Sequence, residues 1–361
     1  LIYDPPDNKN LSYPGRQTFV NPTAGSVDRK PRNWLTWLAG AWSWLFLVLM
    51  LLFFEVWARV EYGSTFLLST NNVQSILLAM VLPLMLALGQ TLVIIAGGID
   101  LSVGFTVGLA SIVAALTMRL TESSLGPVPS FLFGAVMAVA AASVVGLING
   151  FLIARLNVPP FIGTLGMYGV ARGTGYLLAG ILAAGATVST NNPVNSAIGN
   201  NYIFFKLVPV PVIIALVIVL GMYYLLSQTR FGQYTYAIGG NRQAALRAGI
   251  NVTRHTMQLY ILSAVLAGIA GIIYTARFTA GSAQAGEPIL LDSIAAVVIG
   301  GASLFGGAGN IMGTVIGALI IAVIQFGLVF INVQPFWQFI AVGLVIILSV
   351  LVDQAKSGVV R

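Results

Sequence analysis

Charged side chains are so sparse in this chain of 361 residues that they leave neutral intervals at 33–54, 62–99, 101–118, 123–154, 173–205, 207–229, 256–276 and 293–352. A helix that crosses a bilayer needs about 20 mostly apolar residues. The shorter intervals therefore each supply one crossing, and the longer ones must fold back or carry a polar loop. Charged residues make up only 7% of the chain, against about 25% in an ordinary soluble domain. That is too few to clothe a water-soluble protein of this size, so a soluble enzyme is excluded. Forty glycines fit the same class, because small residues let membrane helices approach closely.

The expected architecture is all-α and polytopic, with about ten transmembrane helices near 34–56, 73–96, 104–120, 131–155, 161–182, 208–227, 257–276, 289–303, 310–330 and 335–352. Orientation follows from the basic residues, which collect on cytoplasmic loops. Lys9, Arg16, Arg29, Lys30 and Arg32 precede the first span; Arg230, Arg242, Arg247 and Arg254 crowd one loop; Lys356 and Arg361 end the chain. Ten crossings put all three groups on one side, read as the cytoplasm. Glu61, Glu122, Glu287 and the stretch Asn191 to Asn201 then fall outside. The net charge of +7 is thereby a topology signal, and no nucleic-acid partner is expected. Trp34, Trp37 and Trp57 suit interfacial belts.

Residues 1–33 carry five prolines and little apolar periodicity, which reads as a mobile cytoplasmic tail. No apolar core follows a basic start there, so no signal peptide is expected. With no cysteine and one histidine, disulfides, thiolate metal sites and a cysteine nucleophile are excluded. No metal site and no catalytic residue is assigned.

Function is expected where apolar segments break. Gly97-Gly98-Ile99-Asp100-Leu101-Ser102-Val103-Gly104 follows a long apolar run, and irregular backbone at membrane depth needs protein or a wet path around it. Asp100 is read first as a cap for the helix that follows, and second as a solute contact. Gly300-Gly301-Ala302-Ser303-Leu304-Phe305-Gly306-Gly307 echoes this break, so broken helices are expected near 97–104 and 300–307. A further echo joins Asn157-Val158-Pro159-Pro160-Phe161 to Asn332-Val333-Gln334-Pro335-Phe336. The two spacings, 203 and 175 residues, differ, so one duplication in a single register does not explain both. Interrupted repeats are common in transporters and place the pathway between halves.

The loop 228–256 contains Ala237-Ile238-Gly239-Gly240-Asn241-Arg242-Gln243-Ala244-Ala245-Leu246-Arg247-Ala248-Gly249-Ile250. Asn241 is expected to cap a short helix from Arg242 to Ala248, and Gly249 to stop it in a left-handed turn. Such a helix is a rigid peg suited to a partner; the alternative is ordinary positive-inside charge. Polar residues within spans are Gln90, Thr91, Asn149 and Arg172. With Asp100 and Ser102 they are the candidate pathway residues, although interhelical bonding is the commoner role. Arg172 is a candidate to neutralise Asp100 or Asp292. Asp292 itself is expected to serve the first turn of its helix, and His255 to sit at the membrane interface.

In one chain and in this order, the segments at 97–104, 237–250 and 300–307 resemble permease subunits of bacterial ABC importers for monosaccharides, the ribose, xylose, arabinose and galactose type. The resemblance covers about 70–355. It implies a permease domain over 34–355 in the bacterial inner membrane, with both termini cytoplasmic. It implies a homodimer, a cytoplasmic ATP-hydrolysing subunit and a periplasmic sugar-binding protein as partners, besides membrane lipid. It also implies that Gly239, Gly240, Asn241, Ala245 and Gly249 form the coupling motif, with Arg242 and Arg247 against the ATPase. No GxxxxGK[ST] sequence occurs here, so ATP and magnesium are expected on the partner, with no cofactor in this chain. The other reading is an ion-coupled secondary transporter with Asp100 as its coupling carboxylate. An aquaporin-type channel would need paired NPA turns, and only Asn192-Pro193-Val194 approaches one. A membrane enzyme would need converging acid, base or metal groups, and none gathers around Asp100 or His255.

Overall fold

The computed structural model describes residues 34–334 and 336–359, with side-chain surroundings described for 42–334, 336–348 and 351. The tail at 1–33 with its basic residues, the side chains of Trp34, Trp37 and Lys356, and Arg361 lie outside the described residues. The chain divides into two compact units, Leu1–Gly40 and Ala41–Arg361. Helical backbone begins in the first at Trp34, and everything below concerns the second.

The helices are α1 (Trp34–Tyr62), α2 (Thr70–Ile95), α3 (Val103–Leu125), α4 (Pro127–Ala154), α5 (Pro160–Ala183), α6 (Pro193–Gly199), α7 (Val210–Gln228), α8 (Arg230–Gly240), α9 (Arg242–Arg247), α10 (Val252–Phe278), α11 (Glu287–Ile299), α12 (Ile311–Phe330) and α13 (Phe336–Val359). Short strands β1 (Thr187–Ser189) and β4 (Ala280–Ser282) pair antiparallel, as do β2 (Tyr202–Ile203) and β3 (Val208–Pro209). The protein is an all-α polytopic membrane protein. Among the described residues, seven helices are long and apolar enough to cross a bilayer: α1 from Trp42, α2, α3, α4, α7, α10 and α12.

Two faces follow from the contacts. One carries the basic loop: α2 ends there at Ile95, against Gly239 and Gly307, and Ser43 near the start of α1 donates to the Ile299 carbonyl. On the opposite face Tyr62 meets Phe330 edge to face, Asn192 reaches the Pro127 carbonyl and Asn200 the Arg277 carbonyl. There Asn192 caps α6 by accepting from Val194 N–H, so Asn192-Pro193-Val194 is a helix start and no pore turn.

Close packing explains much of the glycine. Gly146 and Gly150 of α4 lie against backbone at Tyr260 and Met257 of α10, and Gly317 of α12 lies against the Ala296 carbonyl of α11. A β-carbon at any of these would meet main chain within 3.0 Å. Without water to drive apolar surfaces together, helix association in a bilayer relies on such contact.

The expected eighth span, 289–303, is corrected. Its helix, α11, has only 13 residues, about 20 Å at 1.5 Å per residue, too short for a hydrocarbon layer of about 30 Å. The rest of the crossing is β4 followed by the turn at 283–286. Residues 280–286 descend antiparallel to α3, with Gly281 against Ser111, Ala283 against Gly108 and Gly286 against Gly104. The sequence reading left 277–288 outside any span, because the contacts to α3 that place 280–286 inside the bundle come from residues distant in sequence. The placement of Glu287 outside is corrected with it, because it starts α11 at the depth of Gly104.

The breaks expected at 97–104 and 300–307 are present, between α2 and α3 and between α11 and α12. Neither interrupts a helix midway: both are helix ends on the basic face, built alike. At the end of α2, Gly97 takes φ +82° while Gly97 N–H donates to Ile94 and Gly98 N–H to Val93. At the end of α11, Gly301 takes φ +90° while Gly301 N–H donates to Val298 and Ala302 N–H to Val297. This is the paired-bond stop with a left-handed residue that favours glycine.

Candidate functional site

The basic loop folds as a bracket. After α7, Thr229 accepts from Phe231 N–H and starts α8, a helix the sequence reading left as loop. Asn241 Oδ1 then accepts from Ala244 N–H at 3.0 Å and starts α9. Gly249, at φ +82°, ends it, with Gly249 N–H donating to Leu246 and Ile250 N–H to Ala245. Ile238, Ala245 and Val252 are buried against one another, with Ile250 beside them. Arg242, Leu246 and Arg247 lie outside this cluster and are exposed, with Arg242 also lining a small cavity beside Gly97, Gly98 and Tyr260. Among the described residues the one salt bridge is Arg59–Glu55, so these arginines pair with none of the described acids.

His255, in the first turn of α10 directly after the basic loop, is buried: its Nε2 lies 2.9 Å from Thr235 Oγ1 and its ring against Phe231, which ties α8 to α10. Tyr236 of α8 donates to the Gly309 carbonyl at 2.7 Å, and burial raises its phenol pKa, so it stays a neutral donor. A β-carbon on Gly239 would overlap the Ile95 carbonyl oxygen, and Gly306 packs on Gly97 and the Gly239 carbonyl. The three segments that carry the family resemblance therefore meet at one junction.

Five of the six candidate pathway residues are buried in hydrogen bonds between helices. Gln90 pairs its amide with the Asp100 main chain, donating to the carbonyl and accepting from the N–H. Asp100 Oδ1 accepts from Ser102 N–H at 3.0 Å and Ser102 Oγ at 2.6 Å, while Ser263 approaches Oδ2 at 3.4 Å. Asn149 Nδ2 donates to Ser102 Oγ at 2.8 Å, and Thr91 meets Thr314 at 2.7 Å. Asp100 is 0% exposed. None of these five lines a described cavity; they join α2, α3, α4, α10 and α12.

Arg172 stands apart. It is exposed on α5, its guanidinium 5.1 Å from the Phe105 ring centre, and it pairs with neither Asp100 nor Asp292. Gln284 and Glu287 are exposed as well, and Gln284 donates to Tyr176 of α5. All three lie beside α3 between Gly104 and Gly108. Asp100 sits level with Gln90, and Gly104 lies a further turn along, which puts it on the order of 13 Å from the end of α2. That is near mid-bilayer, where a charged side chain costs at least about 2.5–3.5 kcal/mol. A face bearing Arg172, Gln284 and Glu287 at this depth is unsuited to lipid.

Beside that face is a cavity of about 650 Å³, lined in part by Tyr274 of α10, Gln284, Glu287 and Asp292 of α11, and Phe339 and Gly343 of α13. Asp292 lies in the second turn of α11, beyond the first-turn role expected of it, and accepts from Gln325 Nε2 of α12 at 2.7 Å. Sequence reasoning missed Gln284, Glu287 and this cavity; the isolated acids at 287 and 292 after a neutral stretch were the available signal. No group of three or more metal-ligating side chains occurs among the described residues.

Residues 72–350 match the family described as the permease component of the branched-chain amino acid transport system. The ribose import permease of Bacillus subtilis strain 168 is 39% identical over 294 residues, 80% of this chain and 86% of the relative. The ribose import permease of Escherichia coli K12 is 38% identical over 296 residues, 80% and 87% of the two chains. The galactose/methyl galactoside import permease of Salmonella typhimurium LT2 is 34% identical over 339 residues, 90% and 97% of the two chains.

Proposed function

The chain belongs to the family of transport-system permease components matched over 72–350, and from that membership we propose that it is the membrane permease of an ATP-driven importer for a monosaccharide or related polyol. The path lies between two copies of the chain, and a separate cytoplasmic ATPase, which carries ATP and magnesium, opens it. A periplasmic binding protein delivers the solute. The basic face is cytoplasmic in the bacterial inner membrane, together with both termini.

The observation that carries this reading is the exposed face of Arg172, Gln284 and Glu287 beside α3 at Gly104 to Gly108, within a chain of membrane-crossing helices. Facing a second copy across a wet path removes these groups from lipid, where intramembrane charge mostly faces a cavity or a bundle interior. The relatives named for ribose and galactose import supply the solute class. Docking is assigned to α9 with Gly239, Gly240, Asn241, Arg242, Ala245, Arg247 and Gly249. Its exposed arginines and Leu246 are free for an acidic, partly apolar partner surface, and its base rests on the ends of α2 and α11.

The ion-coupled alternative loses ground on Asp100, which is sealed from every described cavity and bonded to Ser102. Reconstitution decides between the two. Vesicles holding the chain alone are expected to show no concentrative sugar uptake under a proton or sodium gradient. Sustained uptake without an ATPase overturns the importer reading.

A further inference from the structure

Translocation requires the solute to rest somewhere inside the permease, and the buried network around Asp100 offers it no space. The cavity beside α11 does. Its volume of about 650 Å³ falls within the roughly 300–1,000 Å³ typical of small-molecule sites. It adjoins the polar face through Gln284 and Glu287, which belong to both.

The lining is mixed in a specific way. Tyr274 and Phe339 offer aromatic rings, and Leu291 and Val342 offer aliphatic surface. Gln284 brings an amide, Ser282 a hydroxyl, and Glu287 and Asp292 carboxylates. Asp292 is only 7% exposed and spends one oxygen on Gln325, which fixes the carboxylate and leaves its other oxygen for the cavity. Neither Lys nor Arg lines the cavity, and no cluster of three metal-ligating side chains is present among the described residues. Ionised carboxylates accept hydrogen bonds and donate none. They therefore suit a solute rich in hydroxyl donors, while the rings suit its C–H faces. An acyl chain would cover the apolar lining but leave Gln284, Glu287 and Asp292 unpaired.

We propose that this cavity, bounded by α10, Ser282–Asp292 and α13, is the resting site of a neutral polyhydroxylated solute, with Asp292 and Glu287 as hydroxyl acceptors. This rests on the importer reading and adds where the solute sits.

Because the chain has no cysteine, one introduced thiol reports the cavity on a clean background. A β-carbon at Gly343 meets nothing within 4 Å, so Gly343→Cys fits without disturbing α13. Membrane vesicles from cells expressing the complete importer are labelled with a membrane-impermeant trimethylammonium methanethiosulfonate. Ribose, fructose, galactose, allose and the cationic amine spermidine are each added in turn, and uptake of each sugar by the unsubstituted importer is measured in parallel. Labelling is expected from at least one side and is slowed several-fold by the sugar the importer takes up. Gly343→Trp is expected to abolish uptake at normal membrane levels. A thiol unreachable from both sides overturns the site. So does labelling slowed by spermidine alone, or unchanged by a sugar that is transported, and in that last case the importer reading stands. Uptake of no sugar overturns that reading, and the site with it.

Discussion

The backbone N–H of Gly307 donates to the carbonyl of Ile95 over 2.8 Å, which ties the loop after α11 to the last residue of α2. Gly239 crosses at that bond, where only a hydrogen fits between it and the Ile95 carbonyl. If α9 docks the ATPase as proposed, a push on it would pass through the end of α8 into α2 and the loop after α11 by main chain, without an intervening flexible side chain. Because α2 also holds the Asp100 segment through Gln90, motion at the junction reaches the middle of the bundle.

Gly239→Ala drives a methyl into the Ile95 carbonyl. Backbone cannot rotate away as a side chain can, so the cost is at least the ~1–3 kcal/mol of an overpacked core. Lower thermal stability is expected in detergent, together with loss of transport. Gly240→Ala is the control for packing: a β-carbon at the neighbouring position meets open space, and melting is expected to be unchanged. Equal effects on melting at the two positions would remove the junction from the mechanism.

Arg242→Glu and Arg247→Glu test the docking surface. Both arginines are exposed and pair with no acid among the described residues, so folding and membrane level should not change. Association with the ATPase is expected to weaken by about tenfold at low salt, with the difference shrinking as ionic strength rises. Co-purification across a salt series reads this directly. A defect that salt does not touch would point to packing rather than charge.

Asp100→Asn separates structure from ion coupling. An asparagine oxygen still accepts from Ser102 N–H, so appreciable transport is expected to remain. Asn149→Leu removes the donor to Ser102 Oγ and is expected to cost about 0.6–2 kcal/mol, the range for interhelical hydrogen bonds in membranes. A drop in melting temperature measures it. Complete loss of transport in Asp100→Asn at normal stability would return the carboxylate to a coupling role.

Seven of the ten expected crossings were legible because charge-free intervals report bilayer residence directly, and the start and stop of α9 were legible because Asn241 and Gly249 act locally. The Asn157 and Asn332 echo was legible too: both adopt positive φ, 53° and 58°, just past the ends of α4 and α12. What stayed hidden depends on chain partners distant in sequence. Nothing near Gly239 announces that Ile95, 144 positions earlier, fills the space a β-carbon would need. Gln90 and Asn149 looked like pathway residues because polarity in a span is visible, whereas the partner that consumes it is not. The strand and turn at 280–286 fell between the expected spans 257–276 and 289–303, and nothing local announces that they pack inside the bundle against α3.

That last element carries the topology. A 13-residue α11 admits two arrangements on hydropathy alone: residues 278–305 complete a crossing, or they dip and return to the side they left. The contacts favour a crossing, since β4 pairs with β1 near the start of the segment and Gly306 packs on Gly97 and Gly239 near its end. Single thiols in the cysteine-free chain test it with an impermeant maleimide. Ser124→Cys and Phe278→Cys are expected to label from the periplasmic side, and Gly240→Cys and Phe305→Cys from the cytoplasmic side; all four positions are exposed. If Phe305→Cys labels with Phe278→Cys instead, the crossing is lost. The parity that puts α13's far end beside the basic loop then fails as well, and α12 and α13 must reverse.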